Sequence, residues 1–558
     1  MKNILNYYQE EITFLREKGK KFALKYPAIA DKINFDGNRS NDPHTERIIE
    51  SFAFMVAQIN AKIDYNAEDL AYYLLTGLYP GITAVFPPCS VVLFDGSDYG
   101  VLPRNSRLRV SIVQDDIIQG EFSDSCFFRT IYPLTLYPLE ITKLSVTDTG
   151  ELKIDIKTKS VPVEEMQLSE LVFYIDASLI DNAFALYTAL FAITPHVFLL
   201  INSKQYELQD SIELCGFSED ETAVPVPKFV NYSFYLLREV LLFPQKFMFF
   251  KIKGIDKIIH QQSIKDVDCF SICISLSKTD IKINENSIKI NAVPAVNLFD
   301  YVTNSFRFDN TKSRYLLLSN NNPYIAVHSI KEMHLIDSKS KEDHIIPQYF
   351  SFDYAFLDNS VDSVYWFQPF DIDNSTYVSF VDTHLNPTTI YSDVAYAKTL
   401  CINKIDPRSI RSSTTVFADY ASSPNVTGKL LLQPTSPVYI ERRDIWNLLN
   451  QLAFGQLSKN NVEQLVNKLQ HIVTLYSGTY AKLAQTVLDS ILKTEVFESN
   501  RRITVNGKSS FVKSYTYAIT VKNRQLHPYT TLFFKVFEMY LRNNKPINGY
   551  INLKIVDQ

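Results

Sequence analysis

Hydrophobic positions at the start of the chain recur with a helical period. Ile4, Leu5, Tyr8, Ile12, Leu15 and Phe22 fall roughly 3.6 residues apart, with Lys and Glu opposite them. Asn41-Asp42-Pro43 then offers a cap followed by Pro in the first turn. Behind it Ile48, Ile49, Phe52, Met55, Val56, Ile59 and Ile63 predict a second amphipathic helix. Leu70 to Tyr79 predicts a third, stopped by Pro80-Gly81. The spacing leaves two readings open: a local helical bundle, or helices that pack on a partner chain.

From residue 85 the period changes to two. Ser90–Phe94, Arg107–Val113, Phe127–Leu134, Leu152–Ile156, Leu171–Ile175, Phe247–Lys253 and Val267–Leu276 read as strands. Turns such as Asp95-Gly96 and Asp148-Thr149-Gly150 separate them. Ala183–Ile201 is the most hydrophobic window, but Thr188, Thr194, Pro195 and His196 interrupt it. It reads as a helix ending near Ile193 and a strand over Val197–Ile201, not as a membrane span.

Tyr315–Leu318, Tyr324–Ser329, Tyr377–Val381 and Lys429–Gln433 continue the strand style, with Asn320–Pro323 as an exposed turn. The Ser/Pro-rich stretch 421–437 reads as a linker. Beyond it Ile445–Leu457 and Val462–Leu475 predict helices. Strands at Arg502–Val505 and Tyr515–Val521, a helix from Thr530 to Leu541 and a strand over Gly549–Ile555 complete the chain. The pattern therefore predicts an α+β multidomain fold. It divides into a helical N-terminal segment, 1–84, and a β-rich domain with an inserted helix, 85–290. A second β-rich domain, 291–440, and an α+β C-terminal domain with a basic end, 441–558, follow.

Composition narrows the function. With 46% hydrophobic residues, 33 Tyr and 38 Phe, the 558-residue chain can build large cores. Glycine is scarce at 15 residues, and neither a phosphate-binding loop motif nor a nucleophile-elbow or HExxH motif occurs. The net charge of −5 argues against a general nucleic-acid binder. The charge is uneven: residues 501–558 carry ten Lys/Arg against two Asp/Glu, a basic end that suits either an acidic neighbour or a solvated face.

Candidate chemistry is thin. Six scattered Cys read as buried free thiols in a reducing compartment; Cys269 and Cys273 lack companions for a zinc site. His328, His334 and His344 are expected in separate local settings, not around a metal. Glu219-Asp220-Glu221 and Asp115-Asp116 read as solvated turns, since adjacent carboxylates cannot oppose each other across a substrate. No catalytic, cofactor or metal residue is nominated. Aromatic-Pro segments stand out instead: Phe86-Pro87-Pro88, Tyr132-Pro133, Tyr137-Pro138 and Phe243-Pro244-Gln245-Lys246-Phe247. Such rigid side chains suit dense cores and static interfaces alike.

The order of several segments resembles the TssF (ImpG/VasA) family of type VI secretion baseplate proteins. Tyr7 to Arg16, Tyr26-Pro27, Asp42-Pro43 through Arg47, Glu50 to Phe54 and Leu78-Tyr79-Pro80 match its opening. Phe128-Arg129-Thr130, Leu136 to Leu139, Gly216 to Glu221, and Leu236-Leu237-Arg238-Glu239 leading into Phe243 to Phe247 follow in order. Pro294 with Asn297-Leu298-Phe299, Tyr365-Trp366 and Val381-Asp382 extend the series. Ala292-Val293 in place of Cys-Thr, among other departures, identifies a divergent member.

The resemblance implies a structural, non-enzymatic wedge subunit. Its implied partners are a TssG-like subunit and a second copy of this chain, with TssK, TssE, the sheath and the VgrG spike around them. It implies no cofactor and no nucleic acid. The expected location is cytoplasmic, docked at the inner membrane through the membrane complex. Residues expected to meet partners are Tyr8, Phe14, Leu15, Phe52, Phe54, Tyr79, Pro80, Phe243, Pro244, Phe247, Trp446, Phe534 and Phe537. A β-rich module for an anionic surface and a carbohydrate-processing enzyme are the alternatives.

Overall fold

The computed structural model describes residues 4–557 except 31–41, 98, 112–124, 167, 209–210, 262–266, 278–280, 282, 309–311, 318–323, 337–340, 351–363, 370–375, 389–392, 405–409, 420–425, 442–443, 454–461, 477, 506–507, 523–527 and 544–548. Asp115-Asp116, the turn Asn320–Pro323 and residues 421–425 of the expected linker lie outside the described residues.

The N-terminal stripes form helices as their period dictates. α1 spans Ile4–Lys25, and α2 is a single turn, Pro27–Ala30. α3 spans Pro43–Leu78. The Asp42 carboxylate accepts the His44 backbone N–H at 3.0 Å, with Pro43 in the first turn. The two helices expected between Ile48 and Tyr79 are one rod of 36 residues. Polar Asp64 to Asp69 suggests a break, but it holds no Pro or Gly to interrupt the backbone ladder. Ala53, Ala57 and Ala61 recur every four residues on one face, and Tyr7 of α1 packs on the last two. The Tyr7 hydroxyl donates to Asp64 at 2.7 Å.

The centre is a closed six-stranded barrel. Its order is Cys89–Phe94, Ala292–Val296, Ser125–Thr130, Arg107–Ser111, Thr415–Asp419 and Thr427–Leu430. The barrel crosses the boundary expected at 290/291: Cys89 pairs with Val296, and Val92 with Leu430. It also absorbs the expected linker. Thr427–Leu430 closes the barrel, and the N–H groups of Leu431 and Thr435 donate to Val91 and Cys89.

Beside the barrel lie a five-stranded sheet, with Cys269–Ser275 at its centre, and a four-stranded sheet carrying Glu170–Ile175 and Phe249–Lys253. Between and around them run α4 (Ile180–Phe191), α5 (Ser233–Leu242) and α6 (Ile255–Gln261). A lobe built on Ile325–Ile336 and Asp393–Asn403 projects from the barrel and has its own small core. His328 and His334 both lie on Ile325–Ile336, which is longer than the periodicity indicates.

The C-terminal part adds α7 (Ile445–Ala453), α8 (Val462–Leu475), α9 (Thr479–Asp489) and α10 (Thr530–Asn543). A sheet in the order Ile491–Val505, Lys508–Val521, Gly549–Asp557 completes it, the last strand parallel to its neighbour. One continuous apolar core runs from the barrel through both central sheets to α8, α9 and α10. No described helix is long and apolar enough to cross a membrane.

Candidate functional site

α5 is the hub of the molecule. All ten of its residues are buried, including Arg238 and Glu239. Pro244, which has no N–H to donate, ends the helix and starts a 3₁₀ turn, Pro244–Phe247. That turn brings Lys246 back onto Glu239, and the two form a fully buried ion pair. Burial pulls the Lys246 ammonium below its usual range, while the Glu239 carboxylate beside it pulls the other way. The second Glu239 oxygen accepts the Ala223 N–H at 2.8 Å, and the Lys246 carbonyl accepts the Tyr132 hydroxyl at 2.6 Å.

Arg238 faces the other way. Its guanidinium donates to the carbonyls of Ile82 at 3.1 Å and Ala84 at 2.8 Å and lies over the Phe86 ring. Tyr235 donates to the Pro80 carbonyl at 2.8 Å. α5 thereby clamps the turn where α3 ends and the barrel begins. The last turns of α3, through Ala71, Tyr72 and Leu75, pack on Phe234, Tyr235, Ile445 and Leu448. Gly216, at φ 96°, lets its loop approach Tyr132: a Cβ there would lie 2.6 Å from the hydroxyl. Gly216→Ala should therefore cost about 2 kcal/mol, combining backbone strain with that clash, readable as a lowered urea midpoint.

Hydrogen bonds hold the other conspicuous polar side chains in place. Asn297 donates to the Phe127 carbonyl at 2.8 Å and to the Asn403 side chain at 2.9 Å, and Asn403 in turn accepts the Phe127 N–H. Glu221 accepts the N–H groups of Gly216 and Ser218 and so closes a capping box around the Glu219–Glu221 turn. His334 is engaged by Asp343 at 3.0 Å and Glu332 at 3.1 Å and stacks on Tyr396. No cluster of three metal-ligating side chains occurs among the described residues. Five cysteines are buried; Cys269, at the mouth of its strand, is exposed, contrary to its expected burial.

His328 is buried where α5, the barrel and the lobe meet. Burial, with Arg238 and Arg129 adding positive charge, pushes its imidazole down to about 3. The folded state therefore holds the neutral ring, while the unfolded chain binds a proton below about pH 6.5. This group's stabilisation is complete above that pH. It falls by roughly 1.4 kcal/mol per pH unit between pH 6 and 4. Acid unfolding of His328→Phe should show a shallower slope over that interval than the parent chain.

The exposed apolar surface lies elsewhere. Of thirty large hydrophobic side chains exposed among the described residues, sixteen fall between Ile4 and Leu78. On α3 they make a stripe, Ile48, Phe52, Met55, Ile59, Ile63, Leu70 and Leu74, spaced three, four or seven residues apart. The Ala face that meets α1 lies on the far side of the helix from the stripe. α3 thus presents a seam of coiled-coil type on its open side.

The structure sorts the thirteen residues expected at partner contacts. Phe14, Phe52, Phe54 and Trp446 are exposed, and Tyr8, Leu15, Tyr79 and Pro80 are half-buried. Phe243, Pro244, Phe247, Phe534 and Phe537 are corrected to core positions, each nearly or fully buried. Phe247 packs against Phe217, and Phe534 and Phe537 line α10 inside the main core. An aromatic-Pro segment has the composition of both environments, and here the core took it. Sequence reasoning singled out Phe52 but did not separate the open stripe from the Ala face. The Ala53, Ala57, Ala61 repeat was the available signal.

These features define a multidomain scaffold: a rigid, hydrogen-bonded centre that carries one long helical arm with an uncovered apolar seam. The chain belongs to the type VI secretion system TssF family, whose family model matches residues 1–558. It is similar to the type VI secretion system component TssF1 of Pseudomonas aeruginosa, 22% identical over 603 residues, covering 98% of this chain and 95% of the relative. Its fold is similar to a chain in the type VI secretion TssK-TssF-TssG baseplate subcomplex, with TM-score 0.72 and 19% identity, covering 92% of this chain and 97% of that one. It is also similar to a chain in a type VI secretion baseplate complex, with TM-score 0.61 and 18% identity over 99% and 97% of the two chains.

Proposed function

We propose that this chain is a structural subunit of a type VI secretion baseplate wedge, and that the seam on α3 is where a TssG-type subunit and a second copy of this chain complete a helical bundle. The observation that carries this reading is the stripe from Ile48 to Leu74, uncovered on a helix whose far end is clamped. Burying seven such side chains is worth on the order of 10 kcal/mol before ordering costs. A lone chain has no reason to leave that surface wet.

The same reading makes the work mechanical and non-enzymatic. The described carboxylates with shifted acidity, Asp42, Glu213, Glu332, Asp343 and Asp382, are all held below their ordinary range, each with hydrogen-bond donors on it. None has the raised pKa of a carboxyl that serves as a general acid. The β-rich lobe would face neighbours such as TssK, TssE, the sheath and the spike, with contact to the inner membrane made only through the membrane complex.

Co-expression tests the proposal. The full chain should co-purify with the TssG-type subunit of its own system at physiological salt, in a complex holding two copies of this chain. Two folded proteins that elute separately would refute it.

A further inference from the structure

A cleft of about 440 Å³ opens where the end of α3, the barrel and the lobe meet. That size lies within the range that holds a small organic ligand. Its walls combine Thr83, Val85, His328 and Lys404 with the rings of Trp366 and Tyr439.

The wall leaves hydrogen-bond donors over. Arg238 takes the carbonyls of Ile82 and Ala84 from behind. Both peptides are trans, and in a trans peptide the N–H points opposite to the carbonyl. The N–H groups of Thr83 and Val85 therefore point away from the guanidinium, on the side of the cleft that both residues line. Neither N–H has an acceptor among the described residues. His328, 8% exposed, lines the same cleft, and its Nε2 has no partner within hydrogen-bond geometry.

Positive charge stands behind these groups. Arg238 and Arg129 both act on the His328 ring. Arg129 is 9% exposed, and its Nε makes no hydrogen bond. The acidic group that acts on Arg129 is Asp300, which is ion-paired with Lys331. Glu239, the acidic neighbour of Arg238, is taken by Lys246. Lys404 is exposed at the cleft, without an ion pair to a described carboxylate. Glu441 is the one carboxylate among the described lining residues, against Lys404 and the two guanidinium groups. Open backbone donors together with surplus cations favour an anion, because buried cations without a counter-ion are costly.

We propose that this cleft binds a small organic anion, whose phosphate or carboxylate head accepts the N–H groups of Thr83 and Val85 and is drawn by Lys404, while its body lies against Trp366 and Tyr439. The bound anion ties the arm, the barrel and the lobe together. Binding needs no partner chain, so this site stands or falls apart from the seam on α3.

Trp366 and Trp446 are the two tryptophans of the chain, so in Trp446→Phe the indole fluorescence reports on the cleft alone. Phenyl phosphate and phenylacetate, titrated into that full-length variant, should change the fluorescence saturably, and the tighter of the two names the head. Benzyl alcohol, similar in shape and uncharged, should bind at least tenfold more weakly. Lys404→Ala should weaken the anions at least fivefold with unchanged melting, and Lys404→Arg, which keeps the charge, should restore most of the binding. Hydrogen exchange on the parent chain, which needs no substitution, should show the amides of residues 82–86 slowing when the tighter probe is saturating. No saturable change with either anion would overturn the proposal. So would benzyl alcohol binding as well as the anions, Lys404→Ala binding as the parent does, or unchanged exchange over residues 82–86.

Discussion

Lys246→Met should destabilise the chain by about 3–5 kcal/mol, the largest stability effect expected at a single position. The ammonium is wholly buried and its partner Glu239 is 1% exposed, so removing one charge leaves a carboxylate without water or counter-ion. Coulomb attraction between the pair barely exceeds what desolvating both groups costs, so the penalty is one of stranding, not of lost attraction. The double variant Lys246→Met with Glu239→Leu is therefore expected to recover part of the loss. It should not recover all of it, because the Ala223 N–H loses its acceptor. Urea unfolding of the parent, both single variants and the double variant reads this directly. A single variant as stable as the parent would mean that water reaches the pair.

Ile59→Asp should do the reverse, leaving stability intact and abolishing assembly. Ile59 is 58% exposed on the open face of α3, so a charge there stays hydrated, and the change in helix propensity is well under about 1 kcal/mol. In a closed bundle the same carboxylate would be buried without a partner, at a cost on the order of 3 kcal/mol or a hundredfold in affinity. Phe52→Asp should behave alike. Ala57→Asp is the contrast: it faces Tyr7 inside the α1–α3 contact and should lower melting as well as assembly. Melting curves alongside co-purification with the TssG-type subunit separate the two classes. Equal losses of melting and assembly at Ile59 would place it in a core and end the reading of the seam.

Local patterns in the sequence reach as far as local physics does. The stripes of α1, α3, α8 and α10, the cap at Asp42 and the strand Val197–Ile201 are set within one or two turns of chain, and the residues show them. The barrel does not show, because Cys89 pairs with Val296 and Val92 with Leu430, and no local period reports such distant pairing. The expected cut at 290/291 therefore separates strands that share hydrogen bonds. α9 escaped notice because Ala and Thr dilute its apolar face, although Ala481, Ala484, Val487 and Leu488 follow the helical spacing. Phe497 to Arg502 shows no apolar-polar alternation because that part of Ile491–Val505 is exposed on both faces.

The site was legible in part for the same reason. Phe243, Pro244 and Phe247 are expected as contacts, yet they are core residues beside Arg238, Glu239 and Lys246, the internal ties that fix the arm to the barrel. Aromatic and Pro content marks rigidity, and rigidity serves a core as well as an interface. Exposure is decided by what the rest of the chain covers. The rest of the chain covers α5 on every side and leaves the outer face of α3 open.

Hydrogen exchange along α3, with and without the TssG-type subunit, tests the central claim most directly. If the seam is the assembly surface, amides of residues 43–64 should slow at least tenfold in the complex, while those of α5, already clamped, should hardly change. Unchanged exchange over 43–64 in a formed complex would contradict the account, because the apolar stripe would then still be facing water after the partner has bound.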